Sequence, residues 1–243
     1  MKRVLITGAT SGIGLQLAKD YESSGWHVVA CGRNIDQLSR WVDNRDTVTI
    51  LSFDATNEEE TQRVLGAIDA PCDLIILNAG TCEYVDHGEI DVSMFKRVFN
   101  INFFGLLNCI QALQSTFTSQ THLALMGSTA AYVGLPRAEA YGASKAAVSY
   151  LARSLSVDLE SKGVTVSLVS PGFVKTPLTD KNDFPMPMLI TPEEASLAIR
   201  EGLEKKKAEV HFPKKFSFLL KLISSLPMAF QLALVRKMTR NAL

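Results

Sequence analysis

Short runs of apolar and β-branched residues alternate along the chain with longer segments in which apolar side chains recur every three or four positions. Residues 4–6, 27–31, 48–53, 74–77, 123–126 and 164–169 read as strands, and a last short strand is expected near 209–212. The strands are almost continuously apolar rather than alternating, as expected when both faces of a sheet are covered. Strands separated by helical segments imply right-handed β-α-β crossovers, so the fold class is α/β: one doubly wound, Rossmann-like parallel sheet with helices on both faces. Two long helices are predicted, over 92–117 and 138–161. In the second, Val148, Leu151, Ala152, Leu155 and Leu159 spread over more than one face, which points to a subunit contact in a homodimer or homotetramer, the alternative being a helix buried within a single large chain.

Punctuation refines this outline. Six of the nine prolines fall between Pro171 and Pro213, and residues 173–190 read as an irregular loop of the kind that covers a site. Thr191-Pro192-Glu193-Glu194 carries an N-cap, a proline in the first helical position and acids in the first turn, opening a helix to about Leu203. One α/β domain is then expected over residues 1–212, with 213–243 a C-terminal helical extension.

Composition bounds the function. With 243 residues, 47% of them apolar and 21% charged, the chain can bury a large core. Basic and acidic residues number 25 each, which argues against a nucleic-acid partner. The balance hides an asymmetry: Lys214, Lys215, Lys221, Arg236, Lys237 and Arg240 face no acid within 210–243, so a body of net −6 carries a tail of +6. Cys31, Cys72, Cys82 and Cys109 form no C-x-x-C pair and no metal-ligand pattern, so the expected setting is cytoplasmic and reducing, with no bound metal. Lys2-Arg3 precedes an apolar run too short for a signal peptide. The longest uncharged stretch of the tail is also too short to span a bilayer.

Strand 4–6 leads into Thr7-Gly8-Ala9-Thr10-Ser11-Gly12-Ile13-Gly14 and then a helical pattern. Glycines allow a sharp turn and close approach of a pyrophosphate, and a helix N-terminus offers free N–H groups to the anion. The spacing departs from G-x-G-x-x-G. An NAD-binding chain should place an acid at the end of the second strand for the ribose 2′-hydroxyl, but Ala30-Cys31-Gly32-Arg33-Asn34 has none. Arg33 instead suits a 2′-phosphate by charge and by its bidentate fork, so NADP(H) is expected over NAD(H).

Tyr141 and Lys145, four apart in a helical pattern, share one face with roughly 6 Å of rise between them. An ammonium beside a phenol favours phenolate, lowering a pKa that is ordinarily about 10 and suiting the pair to proton exchange with a carbonyl or alcohol oxygen. Ser128 follows strand 123–126 at the carboxyl edge of the sheet, where it could bond the same oxygen.

Taken in order, the turn with Gly8, Gly12 and Gly14, Asp54, Asn78-Ala79-Gly80, Asn102, Ser128, Tyr141-x-x-x-Lys145 and Pro171-Gly172 with Thr176 resemble the short-chain dehydrogenase/reductase family over about residues 1–212. The resemblance implies a catalytic tetrad: Tyr141 as general acid/base, Lys145 lowering its pKa and holding the nicotinamide ribose, Ser128 orienting the carbonyl, and Asn102 holding a relay water. It further implies Asp54 at the adenine, Asn78 beside the cofactor, Val174 in the cofactor site and Thr176 at the carboxamide. Two positions depart from the family pattern: Leu77 precedes Asn78-Ala79-Gly80, and Ser11 stands where NADP-preferring relatives often carry a basic residue.

Other chemistries fail on residue types. Ser11 is one place late for a G-x-S-x-G elbow, and His27, His87, His122 and His211 are isolated in sequence. The competing reading, an NADP-binding sensor or scaffold without turnover, is disfavoured by the complete tetrad. Residues 81–90 and 173–190 are expected to wall the substrate, and Phe184, Pro185, Met186, Pro187 and Met188 suit an apolar or lipid-like ketone or alcohol. In the tail, Lys214, Ser217, Lys221 and Ser224 line one side of a helical projection and Phe216, Leu219, Leu220 and Ile223 another. Three readings follow for it: a packing arm, a peripheral contact at the inner membrane face, or part of a substrate entrance.

Overall fold

The structure, a computed structural model, describes residues 1–42, 45–68 and 70–239. Its seven strands are β1 (Arg3–Thr7), β2 (His27–Gly32), β3 (Val48–Ser52), β4 (Leu74–Leu77), β5 (His122–Met126), β6 (Thr165–Pro171) and β7 (Glu209–Phe212). They form one sheet in the order β3-β2-β1-β4-β5-β6-β7, and every neighbouring pair runs parallel. The expected fold class is confirmed.

Strand periodicity divides the core. Val4, Ile6, Leu74 and Ile76 point to one side, where α1 (Gly12–Ser23) and α7 (Pro192–Glu204) supply Leu17, Ala18, Ile199 and Leu203. Leu5, Ile75 and Leu77 point to the other, against α3 (Glu58–Leu65), α5 (Gly105–Leu113) and α6 (Glu139–Asp158). Between α1 and α3 lies α2 (Asp36–Val42). The N-cap expected at Thr191 is present and is completed as a capping box: the Thr191 hydroxyl accepts from Glu194 N, and the Glu194 carboxylate accepts from Thr191 N.

The helix expected over 92–117 is divided. α4 (Val92–Phe99) passes into a π turn, Asn100–Phe104, before α5 begins. Such a widened turn within a helix often marks a functional position, and this one carries Asn102. Loop 173–190 is irregular as expected, and its ends are tied by Lys175 N to Ile190 O and Ile190 N to Phe173 O.

The tail forms α8 (Lys214–Ser224) and α9 (Met228–Thr239). Phe216, Leu220, Ile223 and Val235 join Val133 in a separate small core flanked by Leu135 and Phe173, so the inner face of α8 packs on its own chain. The expected polar stripe does not face water throughout. Ser217 is fully buried and bonded to His211 Nδ1 at 2.7 Å, and Lys221 reaches Glu209 at 2.6 Å, because β7 supplies partners for both. Leu219, grouped by spacing with Phe216, Leu220 and Ile223, parts from them and is exposed. Arg240 lies outside the described residues. No helix among the described residues is long and apolar enough to cross a membrane.

Candidate active site

The strand order reverses between β1 and β4, and the crevice beyond their carboxyl ends is where an open α/β sheet takes its ligands. A cleft of about 410 Å³ lies there. It is lined by Gly8, Thr10, Ser11, Gly12, Ile13, Arg33, Asn34, Asp54, Asn78, Ala79, Gly80, Tyr141, Lys145, Pro171, Gly172, Val174 and Thr176. Gly8 and Gly12 hold φ of +65° and +52°, a backbone region that favours glycine. Gly14 does not line the cleft: a Cβ on it would stand 2.2 Å from the Gly8 carbonyl oxygen, so its glycine lets α1 press against the turn. The Thr7 hydroxyl accepts from the N–H groups of Asn78 and Ala79, and Asn78 Nδ2 donates to the carbonyls of Thr7 and Gly8, stitching the two strand ends together.

These residues fit a dinucleotide. No side chain caps α1 and its first turn holds no acid, so its positive end is available to an anion. Arg33 and Asp54, read separately in the sequence, are neighbours: Arg33 Nη1 is 3.6 Å from Asp54 Oδ2. Burial raises the Asp54 carboxyl, but hydrogen bonds from Thr56 and the nearby guanidinium outweigh it and hold the group below its ordinary value.

At the inner end of the cleft, Lys145 donates from Nζ to the Met126 carbonyl at 2.8 Å, and Nζ stands 5.8 Å from the centre of the Tyr141 ring. Burial lowers Lys145 to about 8. Burial also pushes Tyr141 up to about 12, with a neighbouring Cys82 adding to it and a hydrogen bond with Ser128 opposing it. The lowering expected from the ammonium does not occur within the chain itself, because burial dominates, and the phenol stays protonated at neutral pH. Asn102 is fully buried behind the cleft. Its Oδ1 accepts from Thr81 N at 2.7 Å, while Nδ2 donates to Thr81 O and Ser144 Oγ.

Ser128 opens onto a second cavity, of about 540 Å³, which meets the first at Tyr141, Gly172, Leu178 and Thr179. Its other walls are mostly apolar and include Leu135, Phe173, Phe184, Met186, Phe216, Leu220 and Met238. Tyr84 donates to Asn182 Oδ1 at 2.6 Å, and Arg137 bonds Asp86 and Asp183 while lying over the rings of Tyr84 and Phe184. Residues 81–90 and 173–190 are thereby fastened across the cavity.

Residues 2–185 match the family model described as short chain dehydrogenase. The chain belongs to the short-chain dehydrogenase family. It is therefore an oxidoreductase of alcohol and carbonyl groups that uses a nicotinamide dinucleotide. An uncharacterized oxidoreductase of Myxococcus xanthus is 33% identical over 235 residues, covering 93% of each chain. A short-chain dehydrogenase from Streptomyces avermitilis superposes with TM-score 0.83 at 22% identity, over 99% of this chain and 97% of that one. Serine dehydrogenase complexed with NADP+ superposes at 0.76 with 24% identity, over 86% of this chain and 94% of that one. At these identities the two structures speak for the fold.

Within this dehydrogenase, several contributors to the site carry no motif. The Met126 carbonyl has no side-chain signal at all, and Ser144, Cys82, Tyr84 and Arg137 were not singled out by spacing. Phe216 and Leu220 had a helical spacing that marked an apolar face without saying what it would cover. The histidines isolated in sequence do find serines in space, His122 with Ser167 and His211 with Ser217. In each case the serine also donates to backbone carbonyls away from the cleft, so neither pair is an activated nucleophile. No cluster of metal-ligating side chains occurs among the described residues.

Proposed function

We propose that this dehydrogenase is an NADP(H)-dependent carbonyl reductase, reversible as an alcohol dehydrogenase, acting on small or lipid-like apolar substrates. The observation that carries this reading is the position of Tyr141, which lines both the glycine-turn cleft and the apolar cavity. A reduced nicotinamide, when bound, supplies hydride to the carbonyl carbon. Gly8, Thr10, Ser11, Gly12 and Ile13 seat the pyrophosphate, with Gly14 packed behind the turn, Arg33 and Asn34 take the 2′-phosphate side, and Asp54 the adenine. Asn78, Ala79, Gly80, Pro171, Gly172, Val174 and Thr176 enclose the nicotinamide half. The NADP+ carried by the serine dehydrogenase of the same fold supports this choice, as does the lack of an acid at the end of β2.

Tyr141, protonated at neutral pH, donates its proton to the carbonyl oxygen. Ser128 accepts from Ala130 N at 3.1 Å, which leaves its own O–H to donate to that same oxygen. Lys145, anchored on Met126 O, places an ammonium beside the phenol as it loses its proton and favours the anion that forms. The Asn102 side-chain oxygen, already accepting from Thr81, keeps a second lone pair for a relay water. Val148, Leu151, Ala152, Leu155 and Leu159, which spacing assigned to a subunit contact, all pack into the chain's own core, because β5, β6 and α4 lie against α6. A homodimer or homotetramer is supported instead by Phe104, Tyr150 and Val157, exposed on the helical surface from the π turn to α6, and the four unpaired thiols suit a cytoplasmic setting.

Replacing Tyr141 by Phe tests the reading. Steady-state reduction of an apolar ketone should fall by about 10²- to 10⁴-fold while NADPH still binds by fluorescence titration. Undiminished turnover would remove Tyr141 from the chemistry.

A further inference from the structure

The last two helices show water what a helix on a folded body ordinarily hides. In α8, Lys215, Phe218, Leu219 and Leu222 recur at i, i+3, i+4 and i+7 on the side away from the buried Phe216, Leu220 and Ile223. Phe218 is 59% and Leu222 64% exposed. α9 repeats the spacing with Phe230, Ala233, Leu234 and Lys237, and only Val235 of that helix is buried. Two successive helices therefore each carry an outward apolar stripe with a lysine at one end. Isolated exposed apolar residues are ordinary, but a repeated stripe on adjoining helices marks a surface that is covered in use.

Charge decides between the two covers, a second copy of the chain or a lipid surface. Lys214, Lys215, Arg236 and Lys237 are exposed, residues 210–239 contain no acid, and Lys221 is already matched by Glu209. Two copies joined through this face about a two-fold axis would set its positive charge against itself. A layer of anionic headgroups over an acyl interior complements both features, taking the basic side chains at one depth and the apolar stripe at the next. The same helices place Leu220, Met238 and Thr239 in the wall of the apolar cavity.

We propose that α8 and α9 seat the protein on an anionic lipid bilayer, with Phe218, Leu222, Phe230 and Leu234 entering the headgroup boundary and the flanking basic residues on the headgroups. This seating needs no turnover, so its test is independent of the reductase chemistry. Full-length protein is floated with vesicles of phosphatidylcholine alone and of phosphatidylcholine mixed with phosphatidylglycerol. It should rise with the mixed vesicles, remain below with the neutral ones, and be released by salt. The double variants Phe218→Ser/Leu222→Ser and Lys215→Glu/Lys237→Glu should each lower the bound fraction at least about tenfold. Both should keep the parent melting temperature and turnover of a water-soluble ketone. Wild type that stays below with both vesicle types overturns the proposal, as does flotation unchanged by either double variant. A concentration-dependent dimer that these substitutions dissociate, without vesicle binding, would assign the face to a second copy and overturn it equally.

Discussion

The glycine-turn cleft and the apolar cavity meet at one tyrosine but are built by different means. The cleft is made of backbone: strand ends stitched by Thr7 and Asn78, positive-φ glycines, an uncapped helix start and a carbonyl holding Lys145. The cavity is made of side chains from segments far apart in sequence, Leu135, Phe184 and Phe216 among them, drawn together by Arg137, Asp183 and the small tail core. A backbone-built site tolerates little variation because each atom has one place. A site of packed side chains can change shape by substitution without disturbing the sheet. One half of the active site thus suits an invariant ligand and the other a ligand that differs between relatives.

Substitutions should therefore have effects confined to one side of Tyr141. The largest is expected from Arg33→Ala in the cleft, which should weaken NADPH about tenfold or more while leaving NADH binding and ketone KM nearly unchanged. Dissociation constants for the two cofactors check it, and equal losses for both would deny Arg33 the 2′-phosphate. Next comes pH, which acts at the junction. Burial lowers Lys145 to about 8 and raises Tyr141 to about 12, so the ammonium is the first group lost as pH rises. Initial-rate profiles for ketone reduction should show kcat/KM level below about pH 8 and falling about tenfold per unit above it. Lys145→Met should remove that limb and leave a lower, flat profile. The smallest effect is expected from Met238→Ala on the cavity side, a few-fold rise in KM for a long apolar ketone with NADPH affinity unchanged. A matching loss of NADPH affinity would mean that the cleft and the cavity are energetically coupled rather than independent.

Legibility followed the same division. The glycine turn could be read because a sharp bend and a close approach impose residue types at fixed local offsets. The Tyr141 and Lys145 pair could be read because four residues are about one helical turn. The sheet and its two faces were legible from apolar runs, and the α7 cap from Thr191 and Glu194. The division of the 92–117 helix by a π turn at Asn102 was not, since a widened turn leaves the apolar period nearly intact. Nor was the Arg33 to Asp54 pairing, which joins the ends of two different strands, or the inward turn of Ser217 and Lys221, whose partners lie on β7.

Local order along the chain settled the α/β class, the strands, the glycine turn and the placing of Tyr141 and Lys145 on one helical face, because each follows from interactions among residues close in the chain. Assembly of the fold settled that the phenol is held protonated by burial, that a backbone carbonyl anchors the lysine, and that the inner face of α8 helps wall the cavity while its outer face remains uncovered. Those outcomes depend on which distant groups exclude water from one another, and desolvation is a property of the assembled fold rather than of any stretch of the chain.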